Sequence, residues 1–289
     1  MKNKKLIVIA GPTAVGKTTY AINLAQKYNT DIISTDSRQF YREMNIGTAS
    51  PTKEELNSAP HHFINNLSIH DYYNVSLYEQ EAISLLNELF KTKDTVIAVG
   101  GSGLYIDALC YGIDELPDAN TEIRNKIKET YNKNGIAYLQ DEVKKLDPEY
   151  YASVDTKNHK RLQRALEVIY ETGKTYSSQR TQSIKVRPFQ IEKIVLNMPR
   201  ETLYERINMR VDIMIEEGLI EEARSLYKYR NLNALNTVGY KELFEYFDGK
   251  ITKEQAIIDI KTHSRRYSKR QITWFKRYDD FKWIELEKG

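Results

Sequence analysis

The sequence predicts an α/β fold: a doubly wound, mainly parallel sheet with a phosphate-binding loop, a helical insertion domain and a helical C-terminal region. Three short apolar runs are each followed by turn residues and then by a segment of helical periodicity; they are Leu6–Ala10, Asp31–Thr35 and Thr95–Val99. Strands that alternate with helices in this way form parallel sheets covered on both faces. The first run leads directly into residues 11–18, GPTAVGKT, which match the pattern G-x-x-x-x-G-K-S/T in full.

The loop after the first strand is predicted to surround the phosphates of a diphosphate or triphosphate ligand. A strand that breaks at Gly11 and restarts as a helix directs backbone N–H groups and a helix N-terminus at one anion. Lys17 is expected to reach the terminal phosphates, and the Thr18 hydroxyl to ligate Mg²⁺. The helix behind the loop presents one face to the sheet, formed by Ala21, Leu24, Ala25 and Tyr28. The predicted phosphate-binding residues are Gly11, Thr13, Ala14, Val15, Gly16, Lys17 and Thr18.

A helical segment is predicted to interrupt the sheet. From Thr121 to about Arg180 the sequence is polar, rich in Lys and Tyr, and helical in period, and Ile191–Met198 then returns as a strand. A helix follows from Glu201 and ends at Gly218; its apolar side consists of Leu203, Ile207, Val211 and Met214. We therefore predict three regions: the first part of the core at 1–118, an insertion at 119–185, and the second part of the core with a basic helical C-terminus at 186–289.

Composition excludes several classes of protein. With 289 residues the chain is long enough for about two domains. The net charge of +3 is small, so any affinity for nucleic acid must come from local basic patches. The single cysteine, Cys110, excludes a disulfide framework and a cysteine-rich zinc site, and is typical of the reducing cytoplasm. No apolar stretch approaches the ~20 residues of a membrane span, so no membrane association is predicted.

The second part of the site is predicted where the other two strands end. In nucleotide hydrolases a second strand usually ends in an acidic residue that holds Mg²⁺. Here the run Thr95–Val99 ends in GGSGLY, residues 100–105, which is compatible with close approach to a ligand and equally with a tight packing turn. A carboxylate instead follows the second run, at Asp36, where it could hold a metal, cap the next segment or act as a base.

Seven motifs occur in order along almost the whole chain and together carry a family resemblance. They are GPTAVGKT (11–18), DSRQFYREMNIGTASP (36–51), APHHFI (59–64), GGSGLY (100–105), KRLQRALEVIYETGKT (160–175), TVGYKE (237–242) and KRQITWF (269–275). This set resembles the bacterial tRNA dimethylallyltransferases, also called tRNA isopentenyltransferases. The phosphate loop alone is shared by very many nucleotide-binding proteins, whereas the ordered set is far more specific. Asn45 departs from the more frequent Asp of the family pattern.

The resemblance implies a prenyl transfer. A dimethylallyl group would pass from its diphosphate to the exocyclic amine of the adenine 3′-adjacent to the tRNA anticodon, which gives isopentenyladenosine and releases pyrophosphate. The loop would then bind a prenyl diphosphate rather than a nucleotide. The implied catalytic residues are Asp36 as the base for the amine proton, Thr18 with Mg²⁺, and Arg210 on the pyrophosphate. An exposed arginine paired with a carboxylate is the structural alternative for Arg210.

Contacts to tRNA are predicted from basic patches and from the resemblance. Lys157, Lys160, Arg161 and Arg164 form a stripe that suits a phosphate backbone and equally suits a solvated helix face. Residues 261–277 interleave cations with aromatic rings, as binding of RNA loops favours. The full predicted set is Asp36, Ser37, Arg38, Gln39, Ser102, Arg124, Lys160, Arg161, Leu162, Gln163, Arg164, Gly239, Tyr240, Lys269 and Arg270. The insertion would face the RNA, and the target nucleotide would leave its stack to reach the base.

The expected partners are therefore the anticodon stem-loop of tRNA and dimethylallyl diphosphate, with Mg²⁺ as cofactor. A cytoplasmic location is expected, and no feature of the sequence indicates an obligate protein partner. Two rival functions remain open from the residues. The same loop and insertion would serve a kinase of nucleosides or small metabolites, and the basic patches would serve an RNA-binding module whose loop is only structural.

Overall fold

The sheet of the protein has six strands, all paired in parallel. The structure is a computed structural model that describes residues 3–181 and 183–286. The strands are β1 (Lys5–Ala10), β2 (Ile32–Ser34), β3 (His61–His62), β4 (Thr95–Val99), β5 (Gln190–Asn197) and β6 (Lys282–Glu285). Their order across the sheet is β3-β2-β4-β1-β5-β6. The predicted α/β fold with a parallel sheet is confirmed.

The helices of the described chain follow the predicted alternation. They are α1 (Lys17–Tyr28), α2 (Lys53–Ser58), α3 (Val75–Leu89), α4 (Gly103–Tyr111), α5 (Thr121–Leu146), α6 (Pro148–Ser153), α7 (His159–Thr172), α8 (Tyr176–Gln179), α9 (Arg200–Glu216), α10 (Leu219–Leu226), α11 (Tyr240–Phe247) and α12 (Lys253–Phe275). Short 3₁₀ turns occur at Tyr227–Tyr229 and Asn233–Leu235. None of the helices in the described ranges combines the length and the apolar character that crossing a membrane requires.

Successive residues of β1 face opposite layers of helices, as the pleat of a strand requires. Ile7 and Ile9 pack in a cluster that includes residues of α1 and α9. Leu6, Val8 and Ala10 pack in a second cluster with residues of α3, α4 and α12. Because both faces are covered, β1 is apolar throughout its buried length, which explains why it was predictable from the sequence.

The chain divides into two compact units. One unit combines residues 1–111 and 186–289 and contains the sheet. The other spans residues 112–185; it starts before the predicted boundary at 119 and ends at the predicted boundary at 185. The second unit contains α5 to α8 around its own apolar core, which includes Leu139, Val143 and Leu162. No strand occurs in this unit among the residues that the structure describes.

Several local predictions need correction. The strands β3 and β6 were not predicted, because a two-residue strand and the mixed run KWIE carry no clear apolar pattern. The second strand is shorter than the predicted Asp31–Thr35. On α1 the buried face consists of Ala21, Ile22 and Ala25, whereas Tyr28 is 44% exposed and lies outside it.

Candidate active site

The carboxyl ends of three strands place the predicted site at one edge of the sheet. Strand β4 lies between β1 and β2 and is paired with both, so the segments that follow these three strands are neighbours. Those segments are the phosphate loop after β1, the turn with Asp36 after β2, and the glycine-rich turn after β4. Ligands of open α/β sheets bind at this edge.

The phosphate loop has the backbone conformation that its glycines permit. Gly11 and Gly16 have φ values of 145° and 102°, which side chains with a Cβ atom rarely adopt. Gly16 also directly precedes α1, so the loop ends at a helix N-terminus. Lys17 Nζ donates a hydrogen bond to the Pro12 carbonyl at 2.8 Å, which holds the side chain over the loop. The local fold is therefore that of an anion-binding loop.

Two side chains from distant segments hold the phosphate loop, and no local sequence pattern predicts either contact. Gln271 of α12 accepts a hydrogen bond from the Thr13 N–H at 2.8 Å and donates one to the Gly101 carbonyl at 3.0 Å. Arg206 of α9 donates from Nε to the Ala14 carbonyl at 3.0 Å. The Thr13 N–H is therefore already paired within the protein. Gln271 lies inside the motif KRQITWF, which was assigned to RNA contact alone.

A cavity of about 690 Å³ opens above the loop. Five of the predicted phosphate-binding residues line it, together with Asp36 and Arg210; the five are Thr13, Ala14, Gly16, Lys17 and Thr18. Gly11 and Val15 do not line it, and the Val15 side chain packs in the core beside α1. Any contact of these two residues with a ligand would come from the backbone.

Three cations line the cavity, and two of them, Lys17 and Arg210, are partly buried and have no carboxylate partner in the described chain, whereas Arg206 is exposed. In the described residues, neither Lys17 nor Arg210 has a carboxylate oxygen within 4.0 Å. Burial lowers the pKa of Lys17 to about 8; Asp36 opposes this shift, and Arg210 adds to it. Burial also lowers the pKa of Arg210, against the attraction of Asp36 and Glu55. Because a buried cation without a counter-ion is costly, this arrangement favours an anionic ligand. It also contradicts the structural alternative of an exposed, paired Arg210.

Asp36 lies in a turn that is fixed by its neighbours. Its Oδ1 accepts a hydrogen bond from the Arg38 N–H at 3.0 Å, and its own N–H donates to Ser34 Oγ at 3.2 Å. The next residue, Ser37, donates from its N–H to Ser102 Oγ at 3.0 Å, so the turns after β2 and β4 are joined. Asp36 lines the large cavity with one carboxylate oxygen engaged in the turn. Such an arrangement orients a carboxylate and leaves it capacity to accept a proton.

A second cavity, of about 120 Å³, meets the first at the same residues. Both cavities are lined by Thr13, Asp36, Thr48, Arg210, Met214 and Tyr267. The smaller one is also lined by residues 237–239 of the TVGYKE motif. Tyr267, from α12, is hydrogen-bonded to Ser102, and burial raises its pKa to about 12. Asp36 and Arg210 therefore stand where two spaces join, as a reaction between two substrates would require.

Several predicted tRNA contacts of the sheet-containing unit already have partners within the protein, among them Ser37 and Ser102, which are hydrogen-bonded to each other. Arg38 donates from Nη1 to the carbonyls of Asn233 and Ala234, at 2.9 and 3.1 Å. Gln39 donates from Nε2 to the carbonyls of Thr48 and Ala49. Tyr240 is fully buried, so a contact of this residue with RNA would have to come from its backbone.

The same unit keeps other predicted contacts accessible. Lys269 and Arg270 are exposed on α12. The Arg270 guanidinium lies 5.6 Å from the centre of the Tyr267 ring, which itself lines both cavities. Gly239 lines the smaller cavity.

In the helical unit the predicted basic stripe is only partly available. Arg164 pairs with Glu167 at 3.5 Å and also donates to the carbonyls of Leu116 and Pro117. Arg124 pairs with Asp118 at 2.8 Å. Leu162 is fully buried in the core of the unit, so a contact of this residue with RNA would have to come from its backbone.

Two other cations of α7 are not paired in this way. Lys160 and Arg161 are exposed and have no ion-pair partner among the described residues. Gln163 is half-buried beside them. Of the stripe, Lys160 and Arg161, together with the exposed Lys157, are therefore more available to an RNA backbone than Arg164.

This fold and this site define an α/β protein with a phosphate loop, in which Lys17, Arg210 and Asp36 face a common cavity. Comparison of the chain with known proteins identifies its family within this class. The family described as IPP transferase matches residues 39–278, and the chain belongs to that family.

Similar proteins cover nearly the whole chain. The tRNA dimethylallyltransferase 1 of Bacteroides fragilis is 51% identical over 99% of this chain and 95% of its own length. That of Phocaeicola vulgatus is 52% identical over 96% and 93%. Among solved structures, the tRNA isopentenylpyrophosphate transferase of Bacillus halodurans is 39% identical with a TM-score of 0.72, covering 98% of this chain and 90% of that one. A eukaryotic dimethylallyltransferase acting on tRNA is 28% identical with a TM-score of 0.78, covering 98% and 74%.

Proposed function

We propose that this protein transfers a dimethylallyl group from dimethylallyl diphosphate to tRNA, at the exocyclic amine of the adenine 3′-adjacent to the anticodon. Its membership of the IPP transferase family and its tRNA dimethylallyltransferase relatives support transfer of this group to tRNA. The single structural observation that carries the proposal is the placement of Lys17, Arg210 and Asp36 on one cavity, with both cations unneutralised.

The bonds that break and form in this transfer fit the positions of Lys17, Arg210 and Asp36 on the cavity. The C–O bond between the allylic carbon and the diphosphate breaks, and pyrophosphate leaves with the electron pair. The amine nitrogen forms the new C–N bond and gives one proton to the Asp36 carboxylate. Lys17 and Arg210 stabilise the charge that grows on the leaving diphosphate, which a cation in a buried site does more strongly than in water. The amine is a weak nucleophile, because its lone pair is delocalised into the ring, so removal of the proton matters.

The residues at the loop also fit Mg²⁺. Thr18 lines the cavity at the first turn of α1, next to Lys17. No group of three or more His, Cys, Asp or Glu side chains suited to a metal occurs in the described ranges. Mg²⁺ does not need one, since it keeps several waters and binds through one or two protein oxygens and substrate phosphates. We propose that the Thr18 hydroxyl contributes to holding Mg²⁺, which when bound would neutralise part of the diphosphate charge.

The tRNA would approach from the smaller cavity. That space is lined by Gly239 and by Tyr267 of α12, and Lys269 and Arg270 are exposed on the same helix. Lys160 and Arg161 of the helical unit would add contacts to the RNA backbone. The adenine must leave its stack to reach Asp36, at a cost of a few kcal/mol for unstacking. Since tRNA is the substrate, we place the reaction in the cytoplasm.

The proposal is tested by measuring transfer of a radiolabelled dimethylallyl group to tRNA. Purified protein, Mg²⁺, radiolabelled dimethylallyl diphosphate and unmodified tRNA should give labelled RNA without ATP, and digestion should release labelled isopentenyladenosine. A parallel incubation with ATP in place of the prenyl diphosphate should give no tRNA-dependent ATP turnover. Saturable ATP turnover without label transfer would instead support a kinase.

A further inference from the structure

One wall of the large cavity is a loop that makes no regular secondary structure. Within the segment between β2 and α2, the stretch 45–52 contributes seven residues to the lining: Asn45, Ile46, Thr48, Ala49, Ser50, Pro51 and Thr52. The backbone hydrogen bonds within this stretch are local, from the Ala49 N–H to the Ile46 carbonyl and from the Ser50 N–H to the Asn45 carbonyl. Its position against the rest of the protein therefore depends on side chains that reach it from other segments. The shape of the cavity beside Asp36 and Arg210 depends on those side chains.

A single carboxylate from α10 holds the start of this loop. Glu222 Oε2 accepts hydrogen bonds from the N–H groups of Asn45 and Ile46, both at 2.9 Å. Its Oε1 accepts one from the Gly47 N–H at 3.0 Å and one from the Tyr240 hydroxyl at 2.6 Å. Both carboxylate oxygens are thus fully engaged, and hydrogen bonds to a charged acceptor are about twice as strong as neutral ones.

The loop also lies directly against the ring behind it. A Cβ atom built on Gly47 would lie 2.6 Å from atoms of the Tyr240 ring, a distance that real contacts do not show. Tyr240 cannot move away easily, because it is fully buried among the helices α10, α11 and α12. The hydrogen bonds and the close approach therefore fix the same short stretch of backbone.

A different side chain, Gln39, holds the loop further along. Gln39 donates from Nε2 to the Thr48 carbonyl at 3.3 Å and to the Ala49 carbonyl at 3.0 Å. Gln39 follows Asp36 by three residues in the same turn. One part of the loop thus depends on the segment of the proposed base, and another part depends on Glu222.

We infer that Glu222 is a positioning residue for the transfer reaction, which acts through the backbone of residues 45–47 to set the substrate cavity. It does not line either cavity, so it acts without touching substrate. The inference rests on the proposed function. Since a displacement of about 1 Å can lower a rate by about 100-fold, loss of this contact should slow transfer in a protein that stays folded.

The experiment compares Glu222→Gln with Glu221→Gln. Both changes remove one carboxylate from the first turn of α10, but only Glu222 accepts the loop hydrogen bonds. At a temperature well below the melting temperature of each variant, kcat/KM for dimethylallyl diphosphate should fall about 10- to 100-fold in Glu222→Gln. It should stay within about twofold of wild type in Glu221→Gln, and the Kd for tRNA should be unchanged in both.

A purely structural role predicts a different pattern. Glu222→Gln would then melt at a lower temperature but keep the wild-type kcat/KM when folded, and that result would overturn the inference. If Glu222→Gln does not fold, Gly47→Ala provides the test instead. The φ of Gly47 is not positive, so alanine does not strain the backbone there, and its methyl group pushes the loop away from the Tyr240 ring. A folded Gly47→Ala with wild-type kcat/KM would also overturn the inference. Failure of wild type to label tRNA would instead refute the proposed function.

Discussion

The cations of the phosphate cavity and those of the helical unit are held in opposite ways. Lys17 and Arg210 are partly buried, desolvation lowers the pKa of each, and neither has a carboxylate oxygen within 4.0 Å in the described chain. Arg124 and Arg164 of residues 112–185 are partly exposed and paired with Asp118 and Glu167. A paired surface arginine is already satisfied, whereas a buried cation without a partner is stabilised only when an anion arrives. The difference separates cations arranged for a ligand from cations that mainly stabilise their own unit.

The largest expected effect concerns the carboxylate that faces the buried cations. Asp36→Asn keeps the size of the side chain and removes the base, so turnover should fall about 10²- to 10⁴-fold. The affinity for tRNA should change much less, because the folded turn keeps its other hydrogen bonds. Single-turnover transfer and a filter-binding Kd for tRNA measure the two quantities. Equally large losses of turnover and of tRNA affinity would mean that Asp36 maintains the fold or binds substrate instead of acting as the base.

The second-largest effect on activity is expected when one of the unpaired cations of the cavity is removed. Arg210→Gln should lower kcat/KM about 10²- to 10³-fold, the scale of losing one donor to a developing anion. The matched control is Arg164→Gln, whose guanidinium is already paired, and its kcat should stay within about threefold. Steady-state kinetics with saturating tRNA measure both variants. Equal losses in the two would abolish the distinction between buried and paired cations.

The pH dependence of ligand binding tests the burial of Lys17. Its pKa of about 8 lies below the ordinary 10.5, so the charge is present below pH 8 and is lost as the pH rises above it. Binding of a diphosphate above pH 8 must then take up a proton, and affinity should fall by up to about tenfold per pH unit. Calorimetric titration with a non-reactive prenyl diphosphate analogue measures this, with Lys17→Met as the control. An affinity that is flat from pH 7.5 to 9.5 in wild type would contradict the buried, charged lysine.

The smallest effect should distinguish two arginines of one helix. Arg161 is exposed without an ion-pair partner, whereas Arg164 is paired, so Arg161→Gln should reduce the salt dependence of tRNA binding by about one unit of slope. Arg164→Gln should leave the slope nearly unchanged. Kd values at several salt concentrations give both slopes. If Arg161→Gln keeps the wild-type slope, that face of α7 is only a solvated surface.

The features that could be predicted from the sequence are those encoded by continuous stretches of residues. The phosphate loop, the three central strands and the helical insertion each follow from a continuous pattern of residues, and the structure contains all of them. Asp36 was found because it directly follows a strand, and its neighbours at the sheet edge follow from parallel topology. Arg210 came only from family resemblance, since its helix position alone favoured a surface arginine.

What the sequence could not predict depends on contacts between distant segments. Gln271 and Thr13 are 258 residues apart, and Glu222 and Gly47 are 175 apart, so no window of sequence contains either pair. Tyr240 is fully buried, although a tyrosine between Gly and Lys carries no local sign of burial. The pairing of Arg164 likewise arises from neighbours that the fold supplies, including the carbonyl of Leu116.

The central claim is that the buried cations hold a prenyl diphosphate with its reactive carbon facing Asp36. A crystal structure with a sulfur-bridged analogue of dimethylallyl diphosphate, Mg²⁺ and an anticodon stem-loop tests this directly. We expect diphosphate oxygens within hydrogen-bond distance of Lys17 and Arg210, and the adenine amine between the allylic carbon and the Asp36 carboxylate. A diphosphate bound elsewhere, or an amine screened from Asp36 by protein, would contradict the account.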